Sequence, residues 1–281
     1  MLTLKTPAKI NLTLEILGRR PDEFHEVRTV MQTVGMYDTL HFEAAQKFEF
    51  TGTLPEWRAE DSLVSKAAQL LKDAVKYKKG AAIHVEKKIP MLSGLGGDSS
   101  DAAATLKGLS QLLALNIEHD RLRELAAELG SDVAFFLDGG TALAEGRGEK
   151  ITQLPALPRH WVVVMIPEVP VEPGKTAQMY ASLKQRYFTD GQTTRRLVEA
   201  LITGLNFRPT MLVNTFDSVG FNPDSILSMY RQHILKLGAP HVHLCGSGPA
   251  LFTIFGDKAP ADDLAVKCQN QGLRSYVVAT L

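Results

Sequence analysis

A glycine-rich stretch ahead of a helix-like run is the part of this sequence best suited to chemistry. Residues 90–104 read P-M-L-S-G-L-G-G-D-S-S-D-A-A-A, and leucines then recur at helical spacing as far as Leu113. Glycines let the backbone turn tightly and approach a ligand. A helix start offers unpaired N–H groups and partial positive charge, which together favour phosphate. We therefore predict a nucleoside triphosphate site formed by Pro90, Met91, Leu92, Ser93, Gly94, Leu95, Gly96, Gly97, Asp98, Ser99 and Ser100.

The spacing of the glycines excludes two common phosphate-binding patterns. No Gly-Lys-Ser/Thr follows, so the stretch is not a Walker loop, and Gly94-x-Gly96-Gly97 is not the dinucleotide fingerprint. The alternative interpretation is a structural glycine turn before a capped helix.

Two charged residues, Lys9 and Asp132, lie within a predicted strand and at the start of a predicted helix. Residues 2–17 alternate as a strand in which Lys9 and Asn11 share the face opposite Ile10. On an arbitrary strand such a lysine is solvated. Asp132 follows Gly-Ser at the start of another predicted helix, where an acidic residue is ordinarily an N-cap.

A second group of residues is suited to binding a ring. Phe24 offers a stacking face and His25 a hydrogen-bonding edge, although an aromatic–histidine pair is more often loop packing. Tyr180 lies at the start of a predicted helix, where a core tyrosine is the alternative interpretation. Gly140 precedes Thr141 in a glycine-rich run that is equally compatible with a tight β-turn.

Together these segments resemble the GHMP kinases, the family of galactose, homoserine, mevalonate and phosphomevalonate kinases. The resemblance spans residues 7–248 and rests on P-A-K-I-N-L, G-R-R-P-D-E-F-H-E-V, the glycine-rich stretch, L-G-S-D-V-A-F-F-L and C-G-S-G-P-A. It implies that Asp132 accepts or orients the proton of a substrate hydroxyl and that Lys9 keeps Asp132 ionised. It also implies that residues 246–248 approach the phosphate loop.

The first two of these segments resemble one branch of the family. That resemblance implies ATP-dependent phosphorylation of the 2-hydroxyl of a cytidine-diphosphate-linked methylerythritol, in non-mevalonate isoprenoid synthesis, with ATP and Mg²⁺ as cofactors. Ser100 is the candidate metal ligand. The implied substrate-binding residues are Asn11, Phe24, His25, Gly140, Thr141, Thr176 and Tyr180.

Two positions depart from the family pattern. Glu23 stands where glycine is usual, at a position where glycine would serve a positive φ. Asp98 also replaces a glycine, and its carboxylate would repel phosphates unless it points away or meets Mg²⁺. The sequence leaves open whether Asp98 caps the helix from outside or adjusts the metal shell.

The resemblance implies an α+β fold with two-domain GHMP architecture, in which helices back antiparallel-rich sheets and the active site lies in the interdomain cleft. We predict an N-terminal domain over residues 1–157, which carries Lys9, His25 and Asp132, and a C-terminal domain over 158–281. Residues 39–50 are predicted as a hairpin, residues 161–166 and 274–279 as strands, and Asp61-Ser62 as the cap of a helix that begins at Leu63. His241 and His243 share a strand face and are interpreted as solvated.

Composition limits the remaining possibilities. Lys plus Arg and Asp plus Glu both number 31, so the net charge is zero and no basic block indicates nucleic-acid or membrane binding. The two cysteines are too few for a disulfide framework, although oxidation of Cys245 beside the glycine motif could affect activity. We expect a cytoplasmic monomer or weak homodimer with a small-molecule substrate.

Three other functions stay open on the sequence. The chain could be another small-molecule GHMP kinase, for example of mevalonate or homoserine, and Glu23 is the main argument for that. A non-catalytic metabolite-binding relative is disfavoured by the presence of both Lys9 and Asp132. A nucleic-acid-binding module would need a basic face, which the balanced charge does not indicate.

Overall fold

The computed structural model describes residues 1–170, 174–205 and 207–281. The strands are β1 (Leu2–Arg19), β2 (His25–Ala45), β3 (Glu49–Gly52), β4 (Gly80–Glu86), β5 (Thr141–Gly146), β6 (Lys150–Gln153), β7 (Trp161–Ile166), β8 (Val213–Asn214), β9 (His243–Leu244), β10 (Leu251–Phe255) and β11 (Arg274–Ala279). The α-helices are α1 (Leu63–Val75), α2 (Gly97–Leu112), α3 (His119–Leu129), α4 (Ser131–Asp138), α5 (Lys175–Ala181), α6 (Gln192–Thr203), α7 (Asp217–Gly220), α8 (Ile226–Lys236) and α9 (Lys258–Asn270).

The chain forms two compact units, each made of three segments. Unit 1 contains residues 1–8, 36–91 and 96–139, and unit 2 contains residues 9–35, 92–95 and 140–281. The long strands β1 and β2 each contribute residues to both units. The domain boundary predicted between residues 157 and 158 stays a prediction.

Unit 1 is a small sheet with helices packed on it. β4 pairs antiparallel with the second half of β2 and parallel with β3. The predicted hairpin over residues 39–50 is therefore wrong: β2 and β3 lie on either side of β4. Alternating apolar residues indicate a strand but not its partner. Gly108 lets α2 approach the sheet, because a Cβ there would lie 2.7 Å from the ring of Phe42.

Unit 2 contains a four-stranded antiparallel sheet in the order β11-β7-β10-β9. The predicted strands 161–166 and 274–279 are confirmed as β7 and β11. The first half of β2 pairs with β5, and β1 pairs parallel with β8 through Thr13 and Val213. Residues from β1 and β2 share one apolar core with the last sheet and with α8 and α9.

These pairings confirm the predicted α+β class, with helices and largely antiparallel sheets. The position of the active site in a cleft between domains stays a prediction. None of the helices in the described part of the chain has the length and apolar character that crossing a membrane requires.

Candidate active site

Strand β1 holds Lys9 and Asn11 in a buried hydrogen-bond chain. Lys9 is only 3% exposed, and its Nζ donates to Asn11 Oδ1 at 2.8 Å. Asn11 Nδ2 donates in turn to Thr29 Oγ1 at 2.8 Å, across to β2. The two side chains share one face as predicted, and the burial of Lys9 excludes the alternative of a solvated lysine. An ammonium held in this way is a fixed charge with little surrounding water, which is suited to stabilising anions.

Residues 92–95 of the glycine-rich loop lie against the backbone beside Lys9. The amide of Lys9 donates to the carbonyl of Leu95 at 2.8 Å, and the amide of Ala250 donates to the carbonyl of Ser93 at 3.0 Å. Gly94 has φ 86°, and a Cβ there would lie 2.0 Å from the carbonyl oxygen of Cys245. Only glycine fits this contact.

The C-terminal glycine motif therefore reaches the loop, as predicted. A Cβ on Gly246 would lie 3.3 Å from Lys9 Nζ and 3.4 Å from the carbonyl oxygen of Gly94. Residues 246–248, here called the glycine turn, thus bring Lys9 and the loop together within unit 2.

The rest of the predicted phosphate site lies in unit 1, where the loop becomes α2. Gly96 caps the helix with φ 76°, and the amide of Ser100 donates to its carbonyl at 2.9 Å. Ser100 is buried and Ser99 is half-buried, whereas Leu92 is exposed. Pro90 and Met91 are half-buried. A Cβ on Gly97 would lie 3.0 Å from the side chain of Ile89, so the first turn of α2 packs closely on the segment that follows β4.

Asp98 points to a buried lysine. Lys87 Nζ lies 2.7 Å from Asp38 Oδ2, 2.9 Å from Asp101 Oδ2 and 3.1 Å from Asp98 Oδ1. Thr6 Oγ1 donates to the other oxygen of Asp101 at 2.6 Å. Asp98 is therefore not an external cap, because Gly96 occupies the cap and the carboxylate is paired with Lys87. Sequence reasoning missed this cluster, although Asp98 and Asp101 have the i,i+3 spacing of one helix face.

Burial and the neighbouring charges together set the pKa values of Lys87 and Asp101. Burial alone would lower the pKa of Lys87, but Asp101, Asp98 and Asp38 hold it above its ordinary value. Burial raises the pKa of Asp101 to about 7, and Asp38 acts in the same direction while Lys87 opposes them. Three carboxylates around one ammonium leave the cluster with excess negative charge whenever all of them are ionised.

Asp132 lies in the first turn of α4, and it is half-buried. The N-cap of this helix is Gly130, so the interpretation of Asp132 as a simple N-cap is wrong. An acidic side chain in the first turn of a helix interacts favourably with the helix dipole.

The predicted ring-binding residues form an aromatic cluster in unit 2. His25 and Tyr180 stack with centroids 4.9 Å apart and planes inclined by 28°. Phe188 lies edge-to-face with His25, with centroids 6.0 Å apart, and Phe216 lies edge-to-face with Tyr180, with centroids 5.0 Å apart. Burial, followed by the charge of Arg19, lowers the pKa of His25. The separation of 4.9 Å leaves no room for another ring between His25 and Tyr180. Phe188 was missed because it lies in the polar stretch Q-R-Y-F-T-D, whose two adjacent aromatic residues carry no periodic signal.

Phe24 is 53% exposed, and the guanidinium of Arg147 lies over its ring, 4.7 Å from the centroid. One face of the predicted stacking ring is therefore covered by a cation. Glu23 has φ 67°, so this position does adopt the left-handed conformation that glycine would serve. The amide of Arg20 donates to the carbonyl of Phe24 at 2.7 Å and closes the loop.

The remaining predicted substrate residues make contacts within unit 2. Thr176 Oγ1 lies 3.0 Å from Ser247 Oγ, so it meets the glycine turn. Gly140 has φ 69°, and its carbonyl accepts from the amide of Thr33 at 2.9 Å. The buried hydroxyl of Thr141 donates to Gln32 Oε1 at 2.6 Å and also accepts a backbone N–H. Contacts of these residues with substrate stay predictions.

Two minor expectations are wrong. His241 is not solvated: both ring nitrogens are buried, and burial lowers its pKa to about 4. His243 Nδ1 pairs with Asp217 Oδ2 at 2.7 Å. Cys245 is buried, and burial raises the pKa of its thiol to about 12, so it is protected from oxidation.

Comparison with known proteins identifies the family. A family model described as the GHMP kinases N terminal domain matches residues 62–140. A 4-diphosphocytidyl-2-C-methyl-D-erythritol kinase of Dehalococcoides mccartyi is 42% identical over 281 residues, which are 100% of this chain and 99% of that protein. This chain belongs to the 4-diphosphocytidyl-2-C-methyl-D-erythritol kinase family.

Solved structures agree with this membership. A crystal structure of 4-(cytidine 5'-diphospho)-2C-methyl-D-erythritol kinase is similar with a TM-score of 0.83 and 30% identity, covering 99% of each chain. The L. major mevalonate kinase in complex with R-mevalonate has a TM-score of 0.73 at 16% identity, covering 100% of this chain and 96% of that one, and shares the fold alone. Membership of the 4-diphosphocytidyl-2-C-methyl-D-erythritol kinase family confirms the predicted resemblance and enzyme class, an ATP-dependent kinase.

The residues of this family member fit Mg²⁺ only as a partner of bound nucleotide. Among residues 1–170, 174–205 and 207–281, no group of three or more His, Cys, Asp or Glu side chains could hold a metal ion. The carboxylates nearest the start of α2 are paired with Lys87. Mg²⁺ commonly binds through one or two protein groups and substrate phosphates, which this arrangement allows.

Proposed function

We propose that this chain transfers the γ-phosphate of ATP to the 2-hydroxyl of 4-diphosphocytidyl-2-C-methyl-D-erythritol, giving the 2-phosphate and ADP. The observation that carries the proposal is the position of Lys9: its buried ammonium is fixed by Asn11 and lies close to Gly246 of the glycine turn, and its backbone amide donates to the glycine-rich loop at Leu95. The substrate is inferred from the similar proteins described above, which are kinases of this compound.

Phosphoryl transfer needs an alcohol in line with the γ-phosphate and neutralisation of charge in a loose transition state. The hydroxyl oxygen forms a bond to the γ-phosphorus while the bond to the β–γ bridging oxygen breaks, and ADP leaves. In this proposal Asp132 orients the hydroxyl and takes its proton, and Lys9 stabilises the developing negative charge. The loop amides and the start of α2 hold the phosphates, with Ser100 as ligand to Mg²⁺, which supplies further charge neutralisation when bound.

The aromatic cluster supplies specificity for the substrate in this proposal. His25 is held neutral near pH 7 by its lowered pKa, so one ring nitrogen can accept a hydrogen bond from a base. Phe24, Tyr180 and Phe188 offer flat apolar faces beside it. Asn11, Gly140, Thr141 and Thr176 are proposed to contact the rest of the substrate.

We further propose that the protein acts in the cytoplasm as a monomer or weak homodimer, in non-mevalonate isoprenoid precursor synthesis. It would have no nucleic-acid partner. The balance of 31 basic and 31 acidic side chains supports this, because nucleic-acid binding requires a concentrated basic surface.

The test is steady-state turnover with ATP and Mg²⁺ against four acceptors: the cytidylyl substrate, mevalonate, homoserine and galactose. We expect phosphorylation of the cytidylyl alcohol alone, with the new phosphate located by phosphorus NMR. Faster turnover of mevalonate or homoserine would favour another GHMP kinase. ATP binding without turnover of any acceptor would favour a non-catalytic relative.

A further inference from the structure

Lys175, the first residue of α5, carries a charge that the reaction proposed above does not use. Its Nζ is buried, and among the residues that the structure describes it has no hydrogen-bond partner. Burial lowers its pKa to about 8. An ammonium removed from water without a partner is costly, and an anion bound beside it would offset that cost.

The surroundings of Lys175 indicate where that anion would bind. A Cβ on Gly248 would lie 3.6 Å from Lys175 Nζ, as a Cβ on Gly246 would lie 3.3 Å from Lys9 Nζ. The two ammonium groups therefore approach the same three-residue turn. Ser247, the middle residue of this turn, adds a hydroxyl group, and its Oγ lies 3.0 Å from the Oγ1 of Thr176.

The chemistry of this arrangement favours phosphate. Lysine binds phosphate as a point charge, and hydroxyl donors complement its several oxygens. Gly246 and Gly248 have φ of 56° and 75° and no side chains, so an anion can come close to the backbone.

We infer that Lys175 is a second phosphate-binding ammonium at the glycine turn, acting with the hydroxyl of Ser247. This inference rests on the proposed function, because that function supplies two phosphate sources: the triphosphate of ATP and the diphosphate of the acceptor. Both present the same oxyanion to Lys175. The experiment distinguishes them.

The experiment measures binding of MgATP, CDP and cytidine to the full chain by isothermal titration calorimetry. Lys175→Met should weaken either MgATP or CDP by about tenfold or more, since it removes a charge-assisted hydrogen bond. Loss for MgATP identifies the nucleotide as the source, and loss for CDP identifies the acceptor diphosphate. Cytidine lacks phosphate, so its affinity should not change.

Two further variants separate binding from structure. Lys175→Arg keeps the charge and should restore most of the affinity, whereas Lys184→Met removes an exposed lysine soon after α5 and should have no effect. In the absence of ligand Lys175→Met should unfold at the same or a higher temperature, because it removes a buried unpaired charge.

Protonation gives an independent readout. Near pH 8 part of the unliganded protein has neutral Lys175, so binding the affected phosphate ligand should take up a fraction of a proton from buffer, and Lys175→Met should abolish that uptake. Unchanged affinities for both MgATP and CDP, or an equal loss for cytidine, would overturn the inference while leaving the proposed function intact. Failure of the unmodified chain to bind either nucleotide would contradict both.

Discussion

The side chain of Lys9 lies where water is almost excluded. Its partner in β1 is the amide oxygen of Asn11, a neutral acceptor that fixes the ammonium without cancelling its charge. A carboxylate at that position would weaken the field that the ammonium presents to a phosphate. The value of Asn11 thus lies in its neutrality as much as in its reach.

Asp132→Asn tests the assignment of the proton acceptor. Asparagine keeps the size of the side chain but cannot take a proton, so we expect kcat to fall by roughly 10²- to 10⁴-fold. ATP affinity should stay within a few-fold of the unmodified protein in equilibrium binding. The control is Asp138→Asn on the same helix, whose carboxylate pairs with His119 and Arg123 at the surface, and which should keep normal turnover. Near-normal turnover of Asp132→Asn would refute the role.

His25→Gln tests the recognition of the base. The stack with Tyr180 should be lost, so we expect the KM for the cytidylyl acceptor to rise by roughly tenfold while the KM for ATP stays unchanged. In the unmodified enzyme the lowered pKa of His25 keeps the ring neutral at pH 7. Acceptor binding should therefore weaken only as the pH falls below about 6.5, the ordinary value of histidine. An equal rise in both KM values would show a general structural defect instead.

At the scale of elements, the glycine-rich loop packs so closely against the glycine turn that Gly94 has no room for a side chain. Gly94→Ala would place a Cβ within 2.0 Å of the Cys245 carbonyl and would also strain a left-handed residue. We expect a loss of about 3 kcal/mol or more in the free energy of unfolding, together with loss of ATP binding. Urea denaturation and calorimetry would measure both.

Gly272→Ala is the matched control for that change. Gly272 also has a left-handed φ, of 79°, but a Cβ there would meet nothing within 4 Å. Only the conformational strain applies, so we expect a loss of about 1 kcal/mol and unchanged ATP binding. Equal losses for the two variants would mean that backbone strain, and not the contact with Cys245, is what requires Gly94.

The cluster around Lys87 joins the end of β4 to the first turn of α2. Lys87→Met would leave buried carboxylates without their cation, and we expect a loss of about 3 kcal/mol or more at pH 8 by urea denaturation. The pKa of Asp101 is raised in the folded state, so this carboxyl binds a proton more readily there than in the unfolded chain. Its contribution to the free energy of unfolding therefore improves as the pH falls. The loss should therefore shrink at pH 5.

Lys88→Met controls for removal of a neighbouring charge. Lys88 is exposed, so its loss should cost less than about 0.5 kcal/mol at either pH. A deficit for Lys87→Met that did not change between pH 8 and pH 5 would contradict the assignment of the defect to unpaired carboxylates.

Elements with strong local patterns could be predicted from the sequence, and their partners could not. The apolar runs at 161–166 and 274–279 identify β7 and β11, and Ser62 identifies the cap of α1. The pairing of β3 with β4 depends on segments about 30 residues apart, which no local pattern encodes. The same limit explains the site: Lys9 and Asp132 follow from motifs, whereas Lys87 and Phe188 become functional candidates only through their neighbours.

At the scale of the whole molecule, the chain passes from one compact unit to the other five times. The core of unit 2 includes Leu14, Ile16 and Val27 together with residues beyond 160. A fragment of residues 158–281 would lack these three side chains and expose their apolar contacts. We expect the fragment to show no cooperative thermal transition, while the full chain does. A cooperative transition of the fragment would support the predicted boundary at residue 157.

The pairing of Thr13 with Val213 also determines how late in synthesis β1 can pair with β8. About 200 residues of chain separate these partners. A ribosome adds roughly 5–20 residues per second, so the inner half of β1 waits about 10 to 40 s for β8 to emerge. During that interval an apolar strand that ends up fully covered has a free edge. An unpaired strand edge is a template for pairing with other chains, so this interval is when the nascent chain is most prone to aggregate.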